Sequence, residues 1–347
     1  MTPADLTCTV LGAVRRAVEE GALGGVVAVP DRVKVERPRP GGSGDYATNA
    51  ALRLAREARL PAREVAEVLS AVLRRHPGIA GVEITGPGFL NITLARGTRD
   101  ALLRDILVNI LTDGSGYGHG RALSGQIVQL RHRAEVRAAV TADAVRRLLE
   151  AQGALVRVDG DQTAGPGPVP TVAYELSPVP AGATAHELHR RFGSDATRWA
   201  LLRPAGHDRP RFGDELLRQQ ESNPLFRVRY AYARSRALTR AAAQLGLTPE
   251  YRGPEYQDDL DAPALLTALG DHPAVLASAA RLRAPDRVAR HLETTADAFL
   301  GFQHTVLPVG DEKPSAAHRS RLALAEAAGT VLAGGLSLLG ISAPEHL

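Results

Sequence analysis

FGSDATRWALLRPAGHDRPRFGDELLRQQESNPLFRVRYAYARSR, from Phe192 to Arg236, is the stretch whose reading organises the rest of the chain. It opens with a helix-start pattern at Gly193-Ser194-Asp195-Ala196, passes through an Arg-rich loop and enters a helix that interleaves Arg with Tyr. Arg227, Tyr230 and Arg234 fall at i, i+3 and i+7 and therefore share one helical face. Such a face offers cations to phosphates and rings to bases. It equally describes a solvated Arg surface beside core tyrosines, and helical spacing leaves both readings open.

The 347 residues suffice for two or three domains with cores of their own, and 44% hydrophobic content fits a globular chain. No apolar run approaches the roughly 20 residues that a membrane helix needs, and a charged-then-apolar leader is not seen. The expected location is the cytoplasm, with no membrane partner. A single cysteine, Cys8, excludes an internal disulfide framework and a Cys-based zinc site. The formal net charge is only +4, and Lys34 and Lys313 are the only lysines, so the distribution of Arg matters more than its sum.

Outward toward the N-terminus, Leu6, Val10, Leu11, Val14 and Val18 predict a helix from Thr2 to about Glu20. Val26, Val27 and Val29, then Val33 and Val35, suggest extended segments before a Pro/Gly loop at Pro38 to Gly44. Helices are expected to about Ala58 and from Pro61 to about His76, then strands Gly81 to Thr85 and Phe89 to Leu94 around a Gly86-Pro87-Gly88 turn. Alternation of Ile92 and Leu94 with Asn91 and Thr93 predicts one buried and one polar face. After a helix at about Thr98 to Leu111, strand Gln126 to Leu130, helix Ala134 to Gln152 and strand Leu155 to Asp159 read as one βαβ unit. The Pro/Gly segment Thr163 to Pro170 leads to a short strand, Val172 to Leu176, and from His186 the chain reads as helical almost to its end, with amphipathic helices expected at Pro273 to Ala280 and at Asp286 to Phe302, the latter lining one face with Val288, Leu292, Ala296 and Phe299.

Three sets of residues carry a family resemblance. Asp195-Ala196-Thr197-Arg198, Asn223-Pro224 and Tyr230-Ala231-Tyr232-Ala233-Arg234 resemble, in order and spacing, the opening of the DALR anticodon-binding domain of arginyl-tRNA synthetases. Gly44 to Asn49 and Gly86 to Asn91 resemble two motifs of the additional domain that begins those enzymes. The tail Leu339 to Glu345 is similar to the family's usual ending. The resemblance implies an α+β multidomain fold: an N-terminal α/β additional domain over 1–112, a shrunken Rossmann-like βαβ remnant over 113–185, and an all-α DALR anticodon-binding helical bundle over 186–347. It also implies tRNA contacts. By that match Phe89 and Asn91 are candidates on the side of the tRNA elbow, against the alternative that Phe89 is core and Asn91 caps a turn. Arg227, Tyr230, Arg234, Gln303 and Leu347 are candidates on the anticodon side. Arg227, Gln303 and Leu347 stand where the family has Tyr, Tyr and Met, which puts anticodon specificity in doubt.

The family's catalytic signatures are missing. Its His-X-Gly-His follows the first strand, and here that place reads Arg131-His132-Arg133-Ala134-Glu135-Val136-Arg137, with one histidine and no glycine. Gly118-His119-Gly120-Arg121 precedes the strand and would emerge at the wrong edge of a sheet. The place of the Lys-Met-Ser-Lys-Ser loop, Leu176 to Gly182, carries no cation, and only about 60 residues separate the first strand from helix His186 to Arg191. A nucleotide-binding domain that also holds an amino acid takes more than ~100.

No phosphate loop, His-Glu-X-X-His or Gly-X-Ser-X-Gly motif replaces them. His186 and His189 lack a carboxylate third ligand, and Asp258, Asp259 and Asp261 read as a helix N-terminal charge set. The expectation is a pseudoenzyme with no catalytic residues, no metal and no cofactor. Its expected partner is tRNA, with tRNA(Arg) as first candidate, and no DNA. The alternatives are residual arginine–tRNA ligase activity, which would require ATP, and an adaptor that grips a protein partner.

Overall fold

The computed structural model describes residues 3–23, 30, 33–38, 43–158, 172–250 and 262–347. The extended segment expected at Val26 to Val29, much of the Pro38 to Gly44 loop, the Thr163 to Pro170 segment and the Asp258, Asp259 and Asp261 cluster lie outside them. Two compact units divide the chain, Met1–Asp105 and Ile106–Leu347.

The first unit contains α1 (Pro3–Glu19), β1 (Val35–Glu36), β2 (Tyr46–Thr48), α2 (Ala50–Ala58), α3 (Ala62–Leu73), β3 (Ile79–Thr85) and β4 (Phe89–Leu94). The strands form an antiparallel sheet in the order β1-β2-β4-β3. Leu6, Val10 and Val14 of α1 and Val65 and Leu69 of α3 are fully buried, as are Leu90 and Ile92 of β4. Periodicities of 3.6 and 2 account for these buried faces.

The two motifs of this unit meet in space, because Tyr46 pairs with Ile92 and Thr48 with Leu90. A Cβ on Gly44 would lie 2.9 Å from the Ile92 carbonyl oxygen, and Asp45 Oδ2 accepts a hydrogen bond from the Leu94 amide at 2.8 Å. Gly88, at φ 141°, leaves 2.8 Å between a hypothetical Cβ and the Ala62 carbonyl oxygen, so only glycine fits that turn. One expectation fails in β4. Leu90, Asn91 and Ile92 are consecutive buried residues, because this inner strand is covered on the side where a polar face was expected.

Within the second unit, β5 (Ile127–His132), α5 (Val136–Glu150), β6 (Leu155–Val158) and β7 (Val172–Leu176) form a parallel three-stranded sheet, order β6-β5-β7, with α5 packed against it. Ala138, Ala142, Val145 and Leu149 make the buried stripe of α5. The chain enters this unit through α4 (Arg96–Asp113), whose Ile106, Leu107 and Ile110 are buried.

The helices that follow are α6 (Ala185–Leu202), α7 (Pro224–Gln244), α8 (Pro263–Leu282), α9 (Asp286–Phe302) and α10 (Ala316–Leu338). A Thr184–Glu187 capping box starts α6, and Gly193 at φ 76° breaks it where a helix start was expected. Asn223 caps α7, with Pro224 in its first turn. Nearly every side of α10 is buried, which makes it the central helix, and Gly335 lets Leu292 of α9 come so close that a Cβ there would lie 2.5 Å from Leu292 Cδ2. The expected α9 stripe of Val288, Leu292, Ala296 and Phe299 is fully buried. By contrast, the helix expected to start at Pro273 begins ten residues earlier, at Pro263, with Pro273 inside it. Leu265, Leu269, His272 and Leu276 form one buried stripe across the proline, and that packing outweighs the lost backbone hydrogen bond.

Candidate functional site

In open parallel sheets ligands bind beyond the carboxyl ends of the strands. Here that edge is filled by the chain itself. β5 continues through His132, so only Arg133 to Glu135 remain as the turn into α5. The Glu135 carboxylate caps α5, with Oε2 accepting from the Ala138 amide and Oε1 from the Ala181 amide, each at 2.9 Å. It occupies the helix N-terminus where a phosphate would otherwise be held.

Two residues on, Arg137 is 1% exposed. Its Nε donates to the Leu201 carbonyl at 3.0 Å. Nη1 donates to those of Val179 at 2.8 Å and Asp208 at 2.7 Å, and Nη2 to those of Pro204 at 3.0 Å and Ala205 at 2.9 Å. All five N–H groups are spent on backbone carbonyls, which ties α5 to the loop after β7, the end of α6 and the loop after it. Burial draws the guanidinium below its usual pKa, countered by the nearby Glu135, Asp208 and Asp286 carboxylates. At the opposite edge, the Gly120 amide donates to the Ala151 carbonyl at the end of α5, so His119 lies away from the carboxyl ends, as its position before the strand predicts.

A second feature surrounds the start of α7. A groove of about 370 Å³ is lined by Gly193 to Ala196 of the broken α6, the turn from Leu216 to Gln219, Asn223, Phe226, Arg229 and Leu347. Asp195 and Arg198, the ends of the tetrapeptide read from the sequence, act as clamps. Ser342 donates to Asp195 through its amide at 3.3 Å and through its hydroxyl. Arg198 reaches the Leu339 carbonyl at 2.9 Å and Asp143 of α5 at 2.5 Å. Arg229 Nη1 lies 3.6 Å from Asp195 and its Nη2 donates to Ser342 Oγ at 3.3 Å, while Arg236 and Arg240 hold Glu345 at 3.2 and 3.4 Å. These contacts fix the C-terminal tail as a wall of the groove and bring Leu347, 53% exposed, into it.

The expected anticodon-side residues are distributed around this helix. Tyr230 is exposed and stacks on Phe226 with ring centroids 5.8 Å apart. Arg234 Nε donates to Gln303 Oε1 at 2.6 Å, so these two are in direct contact. Arg227 is half-buried, and its Nε lies 2.8 Å from Asp297 Oδ1 without hydrogen-bond alignment. Its charge is already answered by Asp297 of α9. Sequence reasoning missed Phe226, Arg218 and Arg229; Phe226, four residues before Tyr230, was legible as its helical neighbour.

In the first unit Phe89 is 39% exposed at the turn, whereas Asn91 is 5% exposed and donates to Ser43 Oγ and Thr85 Oγ1, both at 3.3 Å. An amide so engaged does not present itself to an outside base, which favours the turn-holding alternative. Asn91→Ala should therefore destabilise residues 1–105 by about 1–3 kcal/mol, read as an earlier urea transition. Phe89→Ala should leave that transition within about 0.5 kcal/mol, as for other exposed side chains.

Among the described residues no group of three or more His, Cys, Asp or Glu could hold a metal, and no helix is long and apolar enough to cross a membrane.

Residues 228–347 match the family described as DALR anticodon binding domain, and residues 10–94 match that described as arginyl tRNA synthetase N terminal domain. Similar curated proteins include the arginine–tRNA ligases of Paenarthrobacter aurescens, 27% identical over 553 aligned positions, and Frankia alni, 27% over 561. Both alignments cover 100% of this chain and 100% of the relative. With 347 residues spread over 553 positions, 206 positions hold no residue of this chain. Among solved structures, the Thermus thermophilus arginyl-tRNA synthetase matches with TM-score 0.70 at 15% identity, and that of Plasmodium falciparum with 0.69 at 9%. Each of these covers 100% of both chains, and at such identities what is shared is the fold.

Proposed function

We propose that this chain, which belongs to the arginyl-tRNA synthetase family, is a member that binds tRNA and does not charge it. The observation that carries this reading is the carboxyl edge of the parallel sheet. Glu135 holds the α5 N-terminus and Arg137 is consumed by five carbonyls, in the place where the family resemblance expects ATP. The 206 alignment positions without a residue of this chain support it, since an arginine pocket needs chain to build it. In the three-part division proposed here, residues 1–112 and 186–347 face the tRNA, 113–185 join them, and the cytoplasm is where the ligand is met.

Phe89 on the elbow side and the Phe226–Tyr230 pair on the anticodon side supply rings for exposed bases. A gel shift of structured tRNA at moderate salt tests the reading. Tyr230→Ala should weaken binding about tenfold, in line with the stacking energy of one base. Arg227→Ala should weaken it by less than about threefold, because a cation already paired with Asp297 has little left to give a phosphate. Absence of any shift would end the proposal.

The full-length match to ligases favours one competing reading, residual arginine–tRNA ligase activity. Arginine- and tRNA-dependent ATP consumption by the purified chain would establish that reading and remove the one preferred here.

A further inference from the structure

The polar groups around the α7 groove are unequal in what they have left to offer. Asn223 is spent: its Oδ1 accepts from the Leu225 and Phe226 amides, and its Nδ2 donates to the Leu216 and Arg218 carbonyls. The Asp195 carboxylate is taken by Ser342 and faces Arg229. Arg218 and Gln219 are exposed on the turn that forms one lip, and among the described residues their side chains have no hydrogen bond or ion pair. Arg229 Nε is buried without a partner. The remaining capacity is therefore mostly donor: a guanidinium with five N–H groups and the Gln219 amide. The Phe226 ring lies along the same groove and stacks on Tyr230, so a flat ligand entering there meets an aromatic neighbour. A volume of about 370 Å³ is near the small end for ligand clefts and suits one nucleoside.

We infer that the groove reads a single unpaired base by an edge that presents acceptors, guanine through N7 and O6, with Arg218 and Gln219 as the residues that select it. The inference rests on the RNA-binding reading above and adds which base and which donors. A guanidinium meets N7 and O6 in parallel, whereas adenine places an amino donor at the corresponding position and cytosine offers one at N4. Because Asp195 is already occupied, it gives a donor edge little compensation.

The test uses the full chain and labelled RNA stem-loops whose seven-nucleotide loop is all adenine, each loop position being replaced in turn by guanine. One position should gain about tenfold in affinity. Inosine there should keep the gain, and 7-deazaguanine, which lacks N7, should lose most of it. Arg218→Ala should abolish the gain while leaving the thermal midpoint of the protein unchanged. A gain at no position, or one that survives both 7-deazaguanine and Arg218→Ala, overturns the inference. So does an abasic residue that binds as well as guanine, since the phosphate alone would then fill the groove. Failure of the stem-loops and of tRNA to bind at all would sink the underlying RNA-binding reading as well; binding without discrimination would sink the base selection alone.

Discussion

Arg137→Ala is expected to lower the thermal midpoint of residues 106–347 by about 10 °C or more, the largest effect of any single substitution considered for this chain. Five backbone carbonyls, from Val179, Leu201, Pro204, Ala205 and Asp208, lose their donor together. Removing one partner from a buried charged network costs about 3–5 kcal/mol, and here the carbonyls also line the space left behind. Arg137→Lys should recover only part of the loss, because an ammonium has three donors and cannot span the fork of a guanidinium. Arg133→Ala, at an exposed position two residues before Glu135, is the control and should change the midpoint little. If Arg137→Ala melts within about 2 °C of the parent, the carbonyl cage is not what joins the sheet to the helices.

Acid should weaken the same unit strongly. His272 of α8 is 1% exposed and His291 of α9 is 8% exposed, with ring centroids 5.2 Å apart, and Tyr117 also stacks on His272, at 5.8 Å. Burial pushes His272 down to about 3, with His291 and His119 adding repulsion, and burial alone pushes His291 down to about 4. Asp113 and Asp271 lie near Tyr117, whose hydroxyl donates to the Leu269 carbonyl at 3.1 Å. His272 Nδ1 and His291 Nε2 have no hydrogen-bond partner among the described residues, so no acceptor stabilises a proton on them.

Both rings are neutral in the folded chain and titrate near 6.5 when unfolded. Below that pH the unfolded chain takes up protons that the folded chain does not. Their contribution is therefore full above about 6.5 and is lost progressively as pH falls toward the folded values. At pH 5 each imidazole should cost about 2 kcal/mol, or about 4 kcal/mol for the pair. Urea midpoints at pH 7.5 and pH 5 measure this, and the double substitution His272→Leu, His291→Leu should remove most of the difference. Equal midpoints for the parent at the two pH values would refute the account.

How much of this was legible in advance follows from the range over which each feature is determined. Helix and strand positions come from local periodicity, and they were read closely for α1, β4, β7 and α9. Pro273 by its local chemistry reads as a helix start, but the apolar stripe through Leu265, Leu269, His272 and Leu276 runs across it. The alternation argument for Asn91 presumed an open face on β4. Ser43 and Thr85, supplied by the preceding loop and the neighbouring strand, closed it.

Charge was the least legible property. Arg131, Arg133 and Arg137 follow one another as cations along the sequence, but Arg137 becomes interior because carbonyls 42 to 71 residues away converge on it. Arg227 reads as a free cation until α9 brings Asp297 within 2.8 Å.

By itself, then, the sequence determined the order of elements, the two motif-bearing regions and the absence of His-X-Gly-His and Lys-Met-Ser-Lys-Ser motifs, because periodicity, turn chemistry and the presence of particular side chains are local facts. Only the tertiary structure decided which Arg and Asn side chains remain available to a ligand. Availability is what remains after every other polar group within reach has taken its share, and in this chain those groups come from elements tens of residues apart.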